Sequence, residues 1–167
     1  MKPLKILVSA CLLGDKVRYD GSDNSYNNEI LNQWVDENRI VKICPEVSGG
    51  CSIPRPPAEI KGIEGGTGVL KGISKVMTKK GVDVSDLFIQ GAKIALELAL
   101  QENIKIAVLK SRSPSCGCCK IYDGSFTGKL VKGEGVTAYL LRKNGLEVYT
   151  EEDIDFVNER LRAMEGL

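Results

Sequence analysis

The sequence predicts an α/β protein, a Rossmann-like three-layer fold with a mostly parallel central sheet of about four or five strands. The first reason is that short apolar runs rich in β-branched residues alternate with stretches whose apolar residues recur at helical spacing. The second is that strands separated by helices form parallel sheets through right-handed crossovers. With 167 residues, 43% of them hydrophobic, the chain can bury its own core, so we expect a single domain over residues 1–167.

The first two strands are predicted on either side of a short helix. Residues 4–10 (LKILVSA) form an apolar run typical of a buried strand, and residues 30–35 carry apolar side chains at helical spacing. Residues 39–43 (RIVKI) predict the second strand. Residues 45–82 are rich in Gly and Pro, and we expect a long loop excursion there with little regular structure.

The clearest helical pattern in the chain covers residues 84–99. The third strand is predicted at residues 104–109 and leads into the segment SRSPSCGCC. Turn-forming residues in YDGSFTG, at 122–128, indicate a turn or a hairpin. Residues 136–143 predict a helix and residues 146–149 a fourth strand. After this strand, Thr150 and Asp153 resemble a capping box for a last helix.

Composition excludes several classes of protein. The formal net charge is +1, so the sequence has no strongly basic character and we expect no stable nucleic-acid complex. No apolar run approaches the ~20 residues that span a bilayer, and we expect no membrane partner. The N-terminal apolar run is followed at once by Asp15 and Lys16, which is unlike a signal peptide. We therefore expect a cytoplasmic protein whose six cysteines are thiols or thiolates.

The chain contains no histidine, which limits its chemistry. Ser-His and Cys-His nucleophile pairs are excluded, as is every histidine metal ligand. A metal in this protein has to be held by cysteine, by carboxylate, or by both.

Three cysteines lie where predicted strands end. Cys11 follows the first strand, Cys44 follows the second, and Cys116 lies a few residues beyond the third. Because the carboxyl ends of parallel strands meet at one edge of a sheet, we expect these thiols to converge. A buried free cysteine also packs as a small apolar residue, but three that each lead into a Gly/Pro-rich loop favour a metal site.

Two kinds of metal site are consistent with this cysteine pattern. One is structural zinc, with a fourth ligand from Cys51, Cys118 or Cys119. The other is a cubane iron–sulfur cluster in which one iron has no cysteine ligand. The sequence lacks the two compact CxxC pairs typical of zinc ribbons, which weakens the zinc hypothesis.

Polar residues near these cysteines are candidates for catalysis. Glu46, two residues after Cys44, could act as a general acid or base. Ser111, Ser113 and Ser115 precede Cys116, and their hydroxyls could bind a ligand or satisfy the backbone of a turn that contains proline.

Other polar residues near the same edge are candidates for substrate binding. Arg18 and Tyr19 follow Cys11 and are predicted to lie at the same edge of the sheet. Arg55, in IPRPP, could orient an anion or a carbonyl oxygen through its planar guanidinium, or form a surface salt bridge.

The motifs taken together resemble the thiouracil desulfidase (TudS-like) family, formerly a domain of unknown function. The matching segments, in order over nearly the whole chain, are SACLLG with RYDG, CPEVSGG with PRPPAEI, GVDVSDLF-x-x-GA, LKSRSPSCG with YDGSF, and GEGVTAYLLRKNGLEV. The resemblance implies a [4Fe–4S] cluster held by Cys11, Cys44 and Cys116. It implies that the fourth iron binds the substrate's sulfur, with Glu46 and a serine of the loop that contains Cys116 assisting. We favour Ser113 for that serine, with Ser111 and Ser115 as alternatives.

The activity implied by this resemblance is the removal of sulfur from a small thiolated heterocycle such as 2-thiouracil. The products would be the oxo compound and hydrogen sulfide, with no net redox change and with a cluster sensitive to oxygen. Two other hypotheses remain open: a sulfur transferase in RNA thiolation metabolism, and a structural zinc or iron–sulfur binding protein. The resemblance assigns no role to Cys51, Cys118 or Cys119.

Overall fold

A computed structural model describes residues 2–167 and shows an α/β architecture with helices on both faces of a parallel sheet. The strands are β1 Ile6–Ser9, β2 Ile40–Ile43, β3 Ala58–Lys61, β4 Lys75–Thr78, β5 Ile106–Leu109, β6 Lys120–Tyr122, β7 Leu130–Lys132 and β8 Glu147–Thr150. The helices are α1 Glu29–Asp36, α2 Pro45–Ser48, α3 Gly65–Lys71, α4 Ser85–Gln101, α5 Val136–Lys143 and α6 Ile154–Met164.

The central sheet has four parallel strands in the order β2-β1-β5-β8. Ile6 of β1 pairs with Ile40 on one side and with Ile106 on the other. The four strands are those that the apolar runs predict, although each strand is only four residues long. The predicted α/β fold class is therefore confirmed.

Alternation along the strands divides the core between the two faces of the sheet. Ile6 and Val8 point to one face, where they pack with α1 and α6 through residues such as Trp34 and Leu161. The indole nitrogen of Trp34 donates a hydrogen bond to Asn158 Oδ1 at 3.1 Å, which links these two helices. This layer fixes the sheet from one side.

The opposite face packs against α4 and α5. Leu7 points to this side and lies in one cluster with Ala95, Ala99, Ala138 and Leu141. The small alanine side chains let the two helices approach the sheet and each other closely. Both faces of the sheet are therefore covered, as a parallel sheet requires.

The expectation of little regular structure in residues 45–82 is wrong. This segment contains α2, α3 and an antiparallel hairpin in which Ala58 of β3 pairs with Thr78 of β4. The strands are as short as those of the central sheet, but they lie among glycines and prolines, and this composition indicates a loop. In α3 the glycines lower helix propensity but serve packing, since a Cβ on Gly66 would collide with the carbonyl oxygen of Gly135.

The other local predictions in the second half of the chain are confirmed. Strands β6 and β7 form a hairpin around residues 122–128, with Ile121 opposite Val131. Thr150 and Asp153 form the capping box, which leads through a short 3₁₀ turn into α6. Among the described residues, no helix has both the length and the apolar character needed to cross a membrane.

The contact between α2 and α4 gives a test of the packing. A Cβ on Gly91 of α4 would collide with the carbonyl oxygen of Pro45 in α2. We expect Gly91→Ala to lower the free energy of unfolding by about 1–3 kcal/mol, the usual range for overpacking a close contact. Urea unfolding of the purified protein measures the change. Lys93→Ala, at an exposed position of the same helix, is the control. Equal stabilities of the two variants would contradict the close contact.

Candidate functional site

A cavity of about 540 Å³ opens at the carboxyl ends of the central strands. Its wall includes Cys11, Cys44 and Cys116, which follow β1, β2 and β5. These three strands are neighbours in the sheet, with β1 in the middle. The parallel topology thus brings together three thiols that are far apart in the sequence, as the strand pattern predicts.

Backbone contacts fix each of the three cysteines differently. Cys11 lies in a short 3₁₀ turn, and its carbonyl oxygen accepts hydrogen bonds from Gly14 N and Asn24 N. Cys44 is the N-terminal cap residue of α2, and Ser48 N donates to its carbonyl oxygen at 2.9 Å. Cys116 is buried in the loop after β5. All three are free of disulfides.

Burial raises the pKa of each of these thiols above its usual value. For Cys116 the increase is large, with a hydrogen bond from Ser9 opposing it. Three thiolates in this cavity would therefore need a compensating cation. The donor set, three soft sulfur ligands with no histidine, suits iron or zinc.

Two kinds of metal group differ in the ligands that they require. A single structural zinc takes four protein ligands in tetrahedral geometry. Within residues 2–167, no group of three or more Cys, Asp or Glu side chains is arranged to hold one metal ion. The three thiols that line this cavity are consistent with an iron–sulfur cluster that has three cysteine ligands.

Glu46 and Arg55 form an ion pair in the cavity wall. Glu46 lies in the first turn of α2, and Arg55 Nε donates to its Oε1 at 3.3 Å. Burial raises the pKa of the Glu46 carboxyl, and Arg55 opposes the increase. The other guanidinium nitrogens donate to the carbonyl oxygens of Ser52 and Val17. Arg55 therefore anchors Glu46, and its contact with substrate stays a prediction.

The three predicted serines have different environments. Ser113 lines the cavity, and its Oγ accepts hydrogen bonds from Ser115 N and Cys116 N, both at 3.1 Å. Ser111 also lines the cavity. Ser115 is fully buried, and its hydroxyl bonds to Thr137 Oγ1 at 2.9 Å. The expectation that Ser115 lines the pocket is therefore wrong, because its hydroxyl serves the contact between the cysteine loop and α5.

Arg18 and Tyr19 lie at the cavity as predicted. The Arg18 guanidinium is stacked 5.6 Å from the centroid of the Tyr19 ring, and both residues line the wall. Tyr19 is 40% exposed, so the pair forms part of the open side. Contact of either residue with substrate stays a prediction.

The sequence did not predict Lys110, which lines the cavity, or Glu151, which binds Lys110 and Ser111 from behind the cavity wall. The buried Glu151 accepts hydrogen bonds from Lys110 Nζ at 2.9 Å and from Ser111 Oγ at 2.6 Å and N at 2.9 Å. Burial raises the pKa of Glu151, but these hydrogen bonds outweigh it and hold the pKa below its usual value. Lys110 directly follows β5, so its position beside Ser111 could have revealed it. Glu151 gave no signal, since it lies 41 residues from Lys110 in the chain.

The hairpins supply a further wall that the sequence did not predict. Glu59 comes from β3, whereas Tyr122 and Phe126 come from the β6–β7 hairpin, and all three line the cavity. The motif YDGSF includes the two aromatic residues, and it could have identified them as candidates for the site. Glu59 lies in the segment expected to be an irregular loop.

The remaining cysteines lie outside the cavity wall. Cys51 packs in an apolar cluster beneath the β3–β4 hairpin, and its N donates to Glu46 O at 3.0 Å. Cys118 and Cys119 have sulfur atoms 3.2 Å apart, and Cys118 Sγ also contacts the Val148 carbonyl oxygen. The zinc hypothesis needs one of these three as a fourth ligand, and none of them lines the cavity.

Comparison with known proteins gives three similarities. The family model described as 2-thiouracil desulfurase matches residues 6–153. The uncharacterized protein YbbK of Bacillus subtilis (strain 168) is 45% identical over 152 residues, which cover 90% of this chain and 97% of the relative. A solved structure of the [4Fe-4S]-dependent thiouracil desulfidase TudS has a TM-score of 0.87 and 42% identity, and the match covers 96% of this chain and 99% of that one.

The Glu151 network predicts a stability that depends on pH. We expect Glu151→Gln to lower the free energy of unfolding at pH 7 by about 1–3 kcal/mol, since it weakens hydrogen bonds to a buried charge. Because the folded-state pKa is depressed, the contribution is present above the ordinary glutamate pKa and disappears as the pH falls through the folded value. The measurement is urea unfolding of wild type and Glu151→Gln at a series of pH values from 7 downward. The difference between their free energies of unfolding should shrink below about pH 4.

The exposed residue Glu152 supplies the matched control, Glu152→Gln. A difference between wild type and Glu151→Gln that stays constant or grows on acidification would contradict the ionised state of Glu151.

Proposed function

Because the chain belongs to the 2-thiouracil desulfurase family, we propose that it removes sulfur from a thiolated nucleobase such as 2-thiouracil. The reaction is hydrolytic: the thione and water give the oxo compound and hydrogen sulfide, with no net oxidation or reduction. The observation that carries the proposal is the convergence of three thiols and a buried carboxyl on one cavity at the sheet edge. The desulfidase in the similar solved structure is described as [4Fe-4S]-dependent, which supports a cluster here.

Cys11, Cys44 and Cys116 would hold this cluster. Three cysteine ligands leave one iron of a four-iron cluster without a protein sulfur. When bound, the cluster would supply a soft Lewis acid, which matches a thione sulfur better than a carbonyl oxygen. Cys51, Cys118 and Cys119 do not line the cavity, which is consistent with an iron that has no cysteine ligand.

Glu46 is the proposed general base. Its side chain lines the cavity two residues from Cys44, and Arg55 fixes Oε1. A carboxylate held there can take a proton from water as the oxygen attacks the ring carbon, and can return that proton to the departing sulfur. The ion pair with Arg55 keeps the carboxylate oriented while the proton moves.

Ser113 is the proposed hydrogen-bond donor to the substrate. Its oxygen accepts two backbone N–H groups, so the group that it still offers is the hydroxyl proton. A proton held in the cavity wall can stabilise negative charge that develops on the heterocycle during attack. The same two contacts make Ser113 a support for the loop of Cys116.

The partner that we propose is a small heterocycle in the cytoplasm. The six cysteines are free thiols, which suits a reducing compartment. The net charge of +1 supplies no electrostatic drive toward nucleic acid, so a stable complex with it is not part of the proposal. A cluster with an iron open to the cavity would make the protein sensitive to oxygen.

The test uses protein reconstituted anaerobically with iron and sulfide. Wild type is expected to release sulfide from 2-thiouracil and, in ¹⁸O-labelled water, to place the label in the oxo product. We expect Glu46→Gln to lower kcat by about 10²–10⁴-fold, the usual contribution of a general base. Iron content should stay at the wild-type level, since Glu46 is not a cluster ligand. Glu29→Gln, at an exposed position, is the matched control and should retain full activity.

Two results would contradict the proposal. Release of sulfide at the wild-type rate by Glu46→Gln would remove this residue from the chemistry. Transfer of the sulfur to an added acceptor protein, with no free sulfide in its absence, would instead indicate a sulfur transferase.

A further inference from the structure

One wall of the cavity is aromatic and comes from the β6–β7 hairpin. Tyr122 and Phe126 line the same cavity as the three cysteines. The Lys61 ammonium lies 6.0 Å from the centroid of the Phe126 ring and occupies one face of it. A planar ligand can use the other face. Aromatic surfaces of this kind bind heterocycles by stacking.

The conformation of this hairpin loop depends on Glu59. The Glu59 side chain is nearly buried in β3, and its Oε1 accepts hydrogen bonds from Gly124 N at 3.0 Å and Phe126 N at 3.2 Å. Phe126 has a φ of +58°, which disfavours any residue with a Cβ. Gly124 has a φ of +93°, and a Cβ there would lie 2.7 Å from Ile60 O. The carboxylate thus stabilises a loop conformation that costs backbone energy.

The second oxygen of Glu59 is available to a ligand. Within residues 2–167, Oε2 of this carboxylate has no hydrogen-bond partner, although Glu59 lines the cavity. A carboxylate oxygen is an acceptor only, so it favours an N–H or O–H donor on the occupant. Thiolated nucleobases contain N–H groups next to the thiocarbonyl carbon.

We infer that Glu59 and Phe126 form the recognition subsite for the heterocycle: Phe126 stacks on the ring and Glu59 Oε2 accepts a hydrogen bond from a ring N–H. The inference rests on the proposed function and extends it to the residues that select the substrate. Glu59 has two roles, since Oε1 positions Phe126 while Oε2 contacts the ligand. Neither residue takes part in the proton transfers assigned to Glu46.

The Glu59→Gln variant separates the two roles. Its amide oxygen can still accept the two loop N–H groups, but its NH₂ group replaces the acceptor with a donor. The assay compares 2-thiouracil with its two mono-N-methyl derivatives on the reconstituted enzyme. We expect wild type to prefer 2-thiouracil over one derivative by about tenfold or more in kcat/KM, mainly through KM. In Glu59→Gln this preference should fall to near unity.

Phe126→Leu tests the stacking separately. It keeps an apolar side chain but removes the aromatic face, and we expect KM to rise about tenfold for all three compounds with little change in kcat. Glu159→Gln, at an exposed position of α6, is the control for both variants. An unchanged N–H preference in Glu59→Gln, or an unchanged KM in Phe126→Leu, would overturn the inference.

Equilibrium dialysis of the same compounds on the cluster-loaded proteins distinguishes this inference from the proposed reaction. If wild type binds 2-thiouracil but releases no sulfide, the proposed reaction is contradicted. Comparison of the dissociation constants of wild type and the two variants then still decides the roles of Glu59 and Phe126. If sulfide is released but the variants bind all three compounds as wild type does, the subsite is wrong and the reaction stands. Absence of both binding and release contradicts both.

Discussion

Parallel pairing of β1 with β2 and β5 is the constraint on which the site depends. It places the carboxyl ends of three neighbouring strands side by side, so that Cys11, Cys44 and Cys116 meet although 33 to 72 residues separate consecutive members. The pairing is stabilised on both faces by buried apolar side chains, so the cysteine positions follow from the core. A shift of one residue in any of the three strands would reverse its inward and outward side chains and displace its cysteine.

Close backbone contacts and buried hydrogen bonds position the polar residues of the site relative to the sheet. Gly91 lets α4 approach α2, and α2 carries Glu46. Glu151 draws Lys110 and Ser111 together at the end of β5. These carboxylates are buried beside partners that donate to them, and the contacts make the desolvation of their charge tolerable. The cavity wall is thus held by close backbone contacts and by hydrogen bonds to buried carboxylates.

Sequence reasoning recovered the central sheet and the three cysteines because apolar runs, helical periodicity and the rule for parallel sheets are local or topological signals. It failed for the β3–β4 hairpin, whose four-residue strands lie among glycines and prolines. It also failed for Glu59, which lines the cavity, and for Glu151, which does not line it, because their partners in hydrogen bonds are 65 and 41 positions away. For Ser115 the error is the opposite one, a residue assigned to the site that does not belong to it. The motif made it a candidate, but only the packing against α5 shows that its hydroxyl is buried.

The measurement that tests the central claim most directly is the iron and acid-labile sulfide content per chain after anaerobic reconstitution. It compares wild type with Cys11→Ala, Cys44→Ala and Cys116→Ala, and takes Cys119→Ala, an exposed cysteine outside the cavity wall, as the control. The account predicts about four iron and four sulfide in wild type and in the control, and loss of both in the three variants. Iron uptake that is absent, or indifferent to those three cysteines, would contradict it.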